Sequence, residues 1–175
     1  MENLALKDII ARMLRQRAGN EPPAPRTTGA TTVLIVDDSR TIVHAIRLLL
    51  EAAGYATLSA SDGQEAVDLA RNLQPDLILM DIVMPRMNGF EATRLLMQDP
   101  RTAGIPVIIV SGTDQASDRV WGLRLGAKDF LAKPVRKDEL LPKVARVLAY
   151  TRQTERQKTA LQQTGAFDAN PPGLK

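Results

Sequence analysis

Between Thr32 and Tyr150 the chain alternates between two hydrophobic patterns. Short apolar runs cover Thr32–Val36, Tyr55–Ala60, Asp76–Asp81, Ile105–Val110 and Lys128–Ala132. Most show no polar alternation, which suits strands buried on both faces of a sheet covered by helices. Longer stretches with a period near 3.6 lie between them. Ser39 to Ala53 places Ile42, Ala45, Ile46 and Leu49 on one face and stops at Gly54. Ser61-Asp62-Gly63-Gln64 opens a second helix that ends near Leu73, with Ala66, Leu69 and Ala70 inward. Asn88–Gln98, Asp114–Leu125 and Arg136–Tyr150 complete the set. Repeated strand–helix units predict parallel strands joined by right-handed crossovers, an α/β doubly wound sheet.

The flanks follow other rules. Residues 4–17 read as an amphipathic helix, with Leu6, Ile9, Ile10, Met13 and Leu14 in one arc. Gly19-Asn20 and the prolines Pro22, Pro23 and Pro25 end it. The expected organisation is a helical extension over 1–18, a Pro-rich linker over 19–30, one domain over 31–150 and a polar tail over 151–175, largely disordered, with its first turns open to extending the last helix. The N-terminal helix suits packing on its own domain or dimerising, or else docking to a partner or a membrane surface.

Charge changes the picture only at the ends. The chain carries a formal net charge of +3. Residues 31–150 hold 14 Lys/Arg against 15 Asp/Glu, so the excess sits in the flanks and argues against a nucleic-acid surface on the domain. The absence of cysteine excludes disulfides, thiolate catalysis and zinc–thiolate sites. No run approaches the ~20 apolar residues of a membrane span. The opening Met1-Glu2-Asn3 lacks a secretory pattern, so the expected location is cytoplasmic.

The candidate chemistry stands at strand ends. Asp37 and Asp38 follow the first strand, Asp81 closes the third, Ser111 follows the fourth, and Lys133 follows the fifth, before Pro134. All carboxyl ends of a parallel sheet share one edge, where such folds bind ligands. Singly, these residues have plain readings: an Asp-Asp-Ser turn caps a helix, and a Lys-Pro means little. Together they converge. Three close carboxylates repel each other and raise each other's pKa, a conflict that a hard divalent cation relieves. Oxygen ligands without His or Cys point to Mg²⁺. Asp81 becomes a candidate nucleophile towards phosphorus, Lys133 supplies positive charge and Ser111 a hydroxyl donor.

Four segments carry a family likeness: Val33-Leu34-Ile35-Val36-Asp37-Asp38-Ser39, Leu79 to Gly89 with Met84-Pro85 at its centre, Val110-Ser111-Gly112, and Lys128-Asp129-Phe130-Leu131-Ala132-Lys133-Pro134. Over about residues 32–149 the chain resembles the receiver domain of two-component response regulators, in the CheY-like single-domain class. Ile105 to Pro134 is similar to receivers that control type IV pilus twitching motility. The resemblance implies a flavodoxin-like (βα)₅ fold with strand order 2-1-3-4-5. It implies that Asp81 accepts a phosphoryl group from a histidine kinase. Mg²⁺ would lie on Asp37, Asp38, Asp81 and the backbone carbonyl of Val83. Ser111 and Phe130 would be the switch pair, Lys133 the phosphate partner, and the Lys133-Pro134 bond cis. The signal would leave through the fourth helix, fifth strand and fifth helix to a downstream protein target, with Arg119, Trp121, Arg124, Lys128 and Arg136 on or near that surface. Phe130 lacks the phenol hydroxyl of a tyrosine, and neither Val83 nor Gly112 has a side chain able to assist an attacking water.

Other classes fit less well. An Asp-nucleophile phosphatase expects an acid/base Asp where Val83 stands, and a cap insertion. A DNA-binding regulator needs more than the residues after Tyr150 for its helix-turn-helix, so no DNA binding is expected. A phosphorylation-independent scaffold would not need the full acid set. The chain is expected to assist its own phosphorylation and dephosphorylation without being an enzyme otherwise. Trp121 reads first as helix packing, His44 as a solvated helix residue, and Met80, Met84 and Met87 as packing residues.

Overall fold

The computed structural model describes residues 29–112 and 116–163. The proposed N-terminal helix over 4–17 and its linker as far as residue 28, the start of the fourth helix at Asp114, and the tail from residue 164 lie outside the described residues. Five parallel strands form one sheet in the order β2-β1-β3-β4-β5: β1 Thr32–Val36, β2 Ala56–Ala60, β3 Leu77–Asp81, β4 Val107–Ser111 and β5 Asp129–Ala132. The helices are α1 Arg40–Ala52, α2 Gly63–Leu73, α3 Gly89–Gln98, α4 Ala116–Arg124 and α5 Lys137–Gln163. The fold and strand order are those expected.

Strand side chains alternate between two cores. Leu34, Val36, Ile78, Met80, Val107, Ile109 and Phe130 point towards α2 and α3, where Ala66, Ala70, Ala92 and Leu96 meet them. Val33, Ile35, Leu77, Leu79, Ile108, Val110 and Leu131 point towards α1 and α5, where Ile46, Leu50, Leu140 and Val144 meet them. Burial on both faces explains the continuous apolar runs. Met80 is fully buried, and Met84 and Met87 pack at the margin of the first core. The small alanines of α2 and α3 bring those helices close to the sheet.

One reading of the helices needs correction. In α1 the buried stripe is Val43, Ile46 and Leu50, while Ala45 is exposed. The helix is rotated so that Val43, Ile46 and Leu50 meet the sheet and Ile42 and Leu49 flank the contact. The last helix continues past Tyr150 to Gln163, so the first turns of the tail extend it. Its first turns pack on the sheet; beyond them Thr151 and Thr154 continue the inward stripe with side chains that bury little.

Local caps fix the helix starts. Asp62 caps α2 by accepting the Glu65 N–H at 2.9 Å. Asn88 and Glu91 form a reciprocal capping box on α3. Ser39 precedes α1 without a side-chain cap. Instead, Asp37 Oδ1 accepts the Ser39 N–H at 2.8 Å.

Candidate functional site

The strand ends place the acidic residues on one edge. Asp37 follows β1, which pairs with β3; β3 ends in Asp81 and pairs with β4. Asp37 and Asp81 are each 4% exposed, whereas Asp38 is exposed. Oxygens of Asp37, Asp38 and Asp81 all lie within 4.8 Å of one another. Lys133 reaches in from the end of β5: its Nζ lies 2.7 Å from Asp37 Oδ2 and 2.9 Å from Asp81 Oδ1. One ammonium thus bridges two buried carboxylates and leaves a net negative cluster.

Electrostatics at the site follow from this packing. Burial is the largest influence on Asp81 and pushes its carboxyl above the usual range; Lys133 pulls it back and Asp37 pushes it up further. Burial alone would lower Lys133, but its contacts with Asp37 and Asp81 outweigh that and hold the ammonium above its ordinary value. Among the described residues, Asp37 Oδ2 has no hydrogen bond of good geometry and meets Lys133 only as an ion pair. A buried carboxylate oxygen so placed, in an all-oxygen acidic donor set, fits a hard divalent cation such as Mg²⁺.

The remaining predicted residues surround the cluster. Ser111 is buried at the end of β4; its carbonyl accepts the Lys133 N–H at 2.7 Å and its hydroxyl makes a long 3.4 Å contact with Asp118. Phe130 is 6% exposed and lies in the first core, turned inward. The Val83 side chain points to solvent, so only its backbone could serve as a ligand. The Lys133-Pro134 bond is cis. Trp121 departs from the packing reading: at 56% exposure it stands on the surface of α4, beside exposed Val120 and Leu123. Gly122 makes the close approach instead, since a Cβ there would lie 3.0 Å from Ile109. His44 is exposed, as expected.

Sequence reasoning missed the clasp around the loop after Asp81. Asp62 is 1% exposed and pairs with the Arg86 guanidinium. Arg86 itself adopts a left-handed φ of 64°. Next to this pair the Gly63 N–H donates to the Met87 carbonyl at 3.1 Å. Gly89 is packed more tightly still: an added Cβ would fall 1.9 Å from the Asp81 carbonyl oxygen. The Asp-Gly and Asn-Gly pairs were visible as turn signals, but the contact between the two turns was not. Asp129 was also missed. It is buried, bonded to the Phe130 N–H at 2.8 Å, and held by Lys143 and Arg146 of α5.

A doubly wound sheet with an acidic trio and a lysine at its carboxyl edge is the layout of a receiver-type signalling domain. Residues 33–145 match the response regulator receiver domain, and the chain belongs to that family, which acts in two-component signalling. It is 51% identical to protein PilH of Pseudomonas aeruginosa over 117 residues, 67% of this chain and 97% of PilH. It is 38% identical over 139 residues to the DNA-binding regulator RpaA of Synechocystis, covering 79% of this chain but 56% of RpaA. The chain therefore spans little more than half of that longer regulator. Among solved structures, a CheY-like receiver domain protein from Methanospirillum hungatei superposes with a TM-score of 0.67 at 28% identity, covering 72% of this chain and 99% of the other. CheY4 of Vibrio cholerae superposes with a TM-score of 0.65 at 31% identity, over 68% and 99% of the two chains.

Proposed function

We propose that Asp81 is the phosphoacceptor and that a histidine kinase is the donor. The observation that carries this is the Lys133 ammonium set between Asp37 and Asp81, with the Asp38 carboxylate alongside. A carboxylate oxygen of Asp81 attacks phosphorus, the P–N bond of the phosphohistidine breaks as the new P–O bond forms, and the leaving imidazole takes up a proton. Lys133 neutralises phosphoryl oxygens, and Asp37, Asp38, Asp81 and the Val83 carbonyl would hold Mg²⁺. When bound, the ion supplies further charge neutralisation. The phosphoryl group adds about −1.5 to −2 charges at this edge, draws the Ser111 hydroxyl towards it and favours the inward position of Phe130. The signal leaves by protein contact through α4, β5 and α5, where Trp121 is exposed beside Arg119, Arg124 and Lys128. The domain catalyses its own phosphorylation and dephosphorylation and acts on no separate substrate.

The similarity to PilH supports a place in pilus-driven twitching motility or chemotaxis-like control, in the cytoplasm. No described helix is long and apolar enough to cross a membrane. Residues 1–18 serve either dimerisation or partner docking, residues 19–30 link them to the domain at 31–150, and the output target is a protein rather than DNA.

The test is incubation with Mg²⁺ and acetyl phosphate, followed by intact mass. Wild type gains about 80 Da, one phosphoryl group, and Asp81→Asn gains nothing. Equal gain by both proteins, or by neither, would refute the assignment.

A further inference from the structure

The phosphoryl chemistry uses only the carboxyl edge of the sheet. At the amino edge, about 16 Å along β3 from Asp81 at ~3.3 Å per residue, lies a groove of about 550 Å³ that this chemistry leaves unassigned. Its walls are the α2–β3 turn around Pro75, the segment from Pro100 to Pro106, and α5 from Leu148 to Arg156. The family match ends at residue 145, so the α5 wall is built by a part of the helix beyond the matched region.

The chemistry of the groove is mixed in a particular way. Its floor is apolar: Pro75, Pro106 and Leu148 are buried beneath it. Its rim carries Arg101, Arg152 and Arg156. Arg101 is already paired with Asp99 at 3.0 Å. Among the described residues, Arg152 donates to a neutral group, the Thr31 hydroxyl, at 2.7 Å, and neither it nor Arg156 meets a carboxylate. The two carboxylates at the rim are otherwise engaged, Asp76 by the Thr32 N–H at 2.8 Å and Glu155 by Lys158 at 3.6 Å. Two guanidinia one helical turn apart repel each other unless an anion lies between them, and their forked donors match phosphate oxygens. The volume falls within the range of small-molecule sites.

We propose that this groove binds a phosphate-bearing small molecule of nucleotide size, with the phosphate on Arg152 and Arg156 and the ring system on the Pro75, Pro106 and Leu148 floor. The site is separate from Asp81 and does not depend on the phosphoacceptor reading. It also has a route to the switch. The same α5 holds β5 through Lys143, whose Nζ lies 2.6 Å from the Phe130 carbonyl.

The experiment is a titration of the full chain with AMP, without divalent cations, followed by backbone amide chemical shifts. Adenosine and inorganic phosphate are titrated in parallel. The expected result is saturable binding in the ~mM range or tighter, with shifts clustered at Gln74, Gly104, Leu148 and Arg156. Arg156→Gln and Arg152→Gln, both at exposed positions, each weaken it at least tenfold. Adenosine and phosphate alone bind much more weakly. Absent or scattered shifts, affinity unchanged in both variants, or phosphate binding as well as AMP would overturn the proposal. So would a poly-glutamate peptide that fills the groove where AMP does not, which would make it a protein-docking surface.

Discussion

Gly89 offers the sharpest test of how the loop after Asp81 is held. The substitution Gly89→Ala adds one carbon, which would stand 1.9 Å from the Asp81 carbonyl oxygen, 2.9 Å from its carbon and 3.1 Å from Ile82 Cα. All three neighbours are backbone, so no side chain can rotate away. Restoring even a tight 3.0 Å contact requires 3.0 − 1.9 = 1.1 Å of movement by the start of α3 or the end of β3. Overpacking of this kind costs about 1–3 kcal/mol, and the all-backbone contact places Gly89→Ala at the upper end. For a chain of this size that lowers Tm by roughly 6–12 °C. A displacement of about 1 Å at the reacting carboxylate also costs on the order of a hundredfold in rate. Calorimetry and the rate of mass gain with acetyl phosphate would read the two effects. Gly104→Ala is the control: a Cβ there meets nothing within 4 Å, so it should be neutral or stabilise by up to about 1 kcal/mol through the unfolded chain. A Gly89→Ala protein that melts within 2 °C of wild type, at ~2–4 °C per kcal/mol, and is phosphorylated at the normal rate would refute the reasoning.

The clasp and the α5 contacts predict further outcomes. Asp62→Ala removes the α2 cap and the Arg86 partner and should cost about 1–2 kcal/mol in urea denaturation. Asp62→Asn keeps an acceptor for the Glu65 N–H and should recover most of that loss; equal losses would show that the cap contributes little. Burial pushes the Asp129 carboxyl up, but the Phe130 N–H, Arg146 and Lys143 together hold it below the usual range. Its contribution to stability is therefore fully present above the unfolded value of about 3.9 and disappears as pH falls through the lower folded value. The gap in urea midpoint between wild type and Asp129→Asn should stay constant from about pH 7 to 5 and close below about pH 4; a gap independent of pH would contradict the assigned contacts. Trp121→Ala should change stability by no more than about 0.5 kcal/mol, because the ring is on the surface. A loss above about 2 kcal/mol would mean that α4 packs on the ring after all.

The periodic pattern alone was enough for the sheet. Five apolar runs, each followed by a helical stretch, admit one class of architecture, because strands buried on both faces must be continuous in apolar residues. The same alternation located Asp37, Asp81, Ser111 and Lys133, since parallel strands bring all their carboxyl ends to one edge. What the pattern did not contain is the distance between elements far apart in the chain. Only packing placed Lys133 between Asp37 and Asp81 rather than beside one of them, rotated α1 onto Val43 and Leu50, and turned Trp121 to solvent with Gly122 against the sheet. Only packing joined the Asp62-Gly63 turn to Arg86 and Met87, and pressed Gly89 against the Asp81 carbonyl. Local sequence sets which residues can face inward; the volumes of neighbouring side chains and the need to satisfy buried charge decide which of them do.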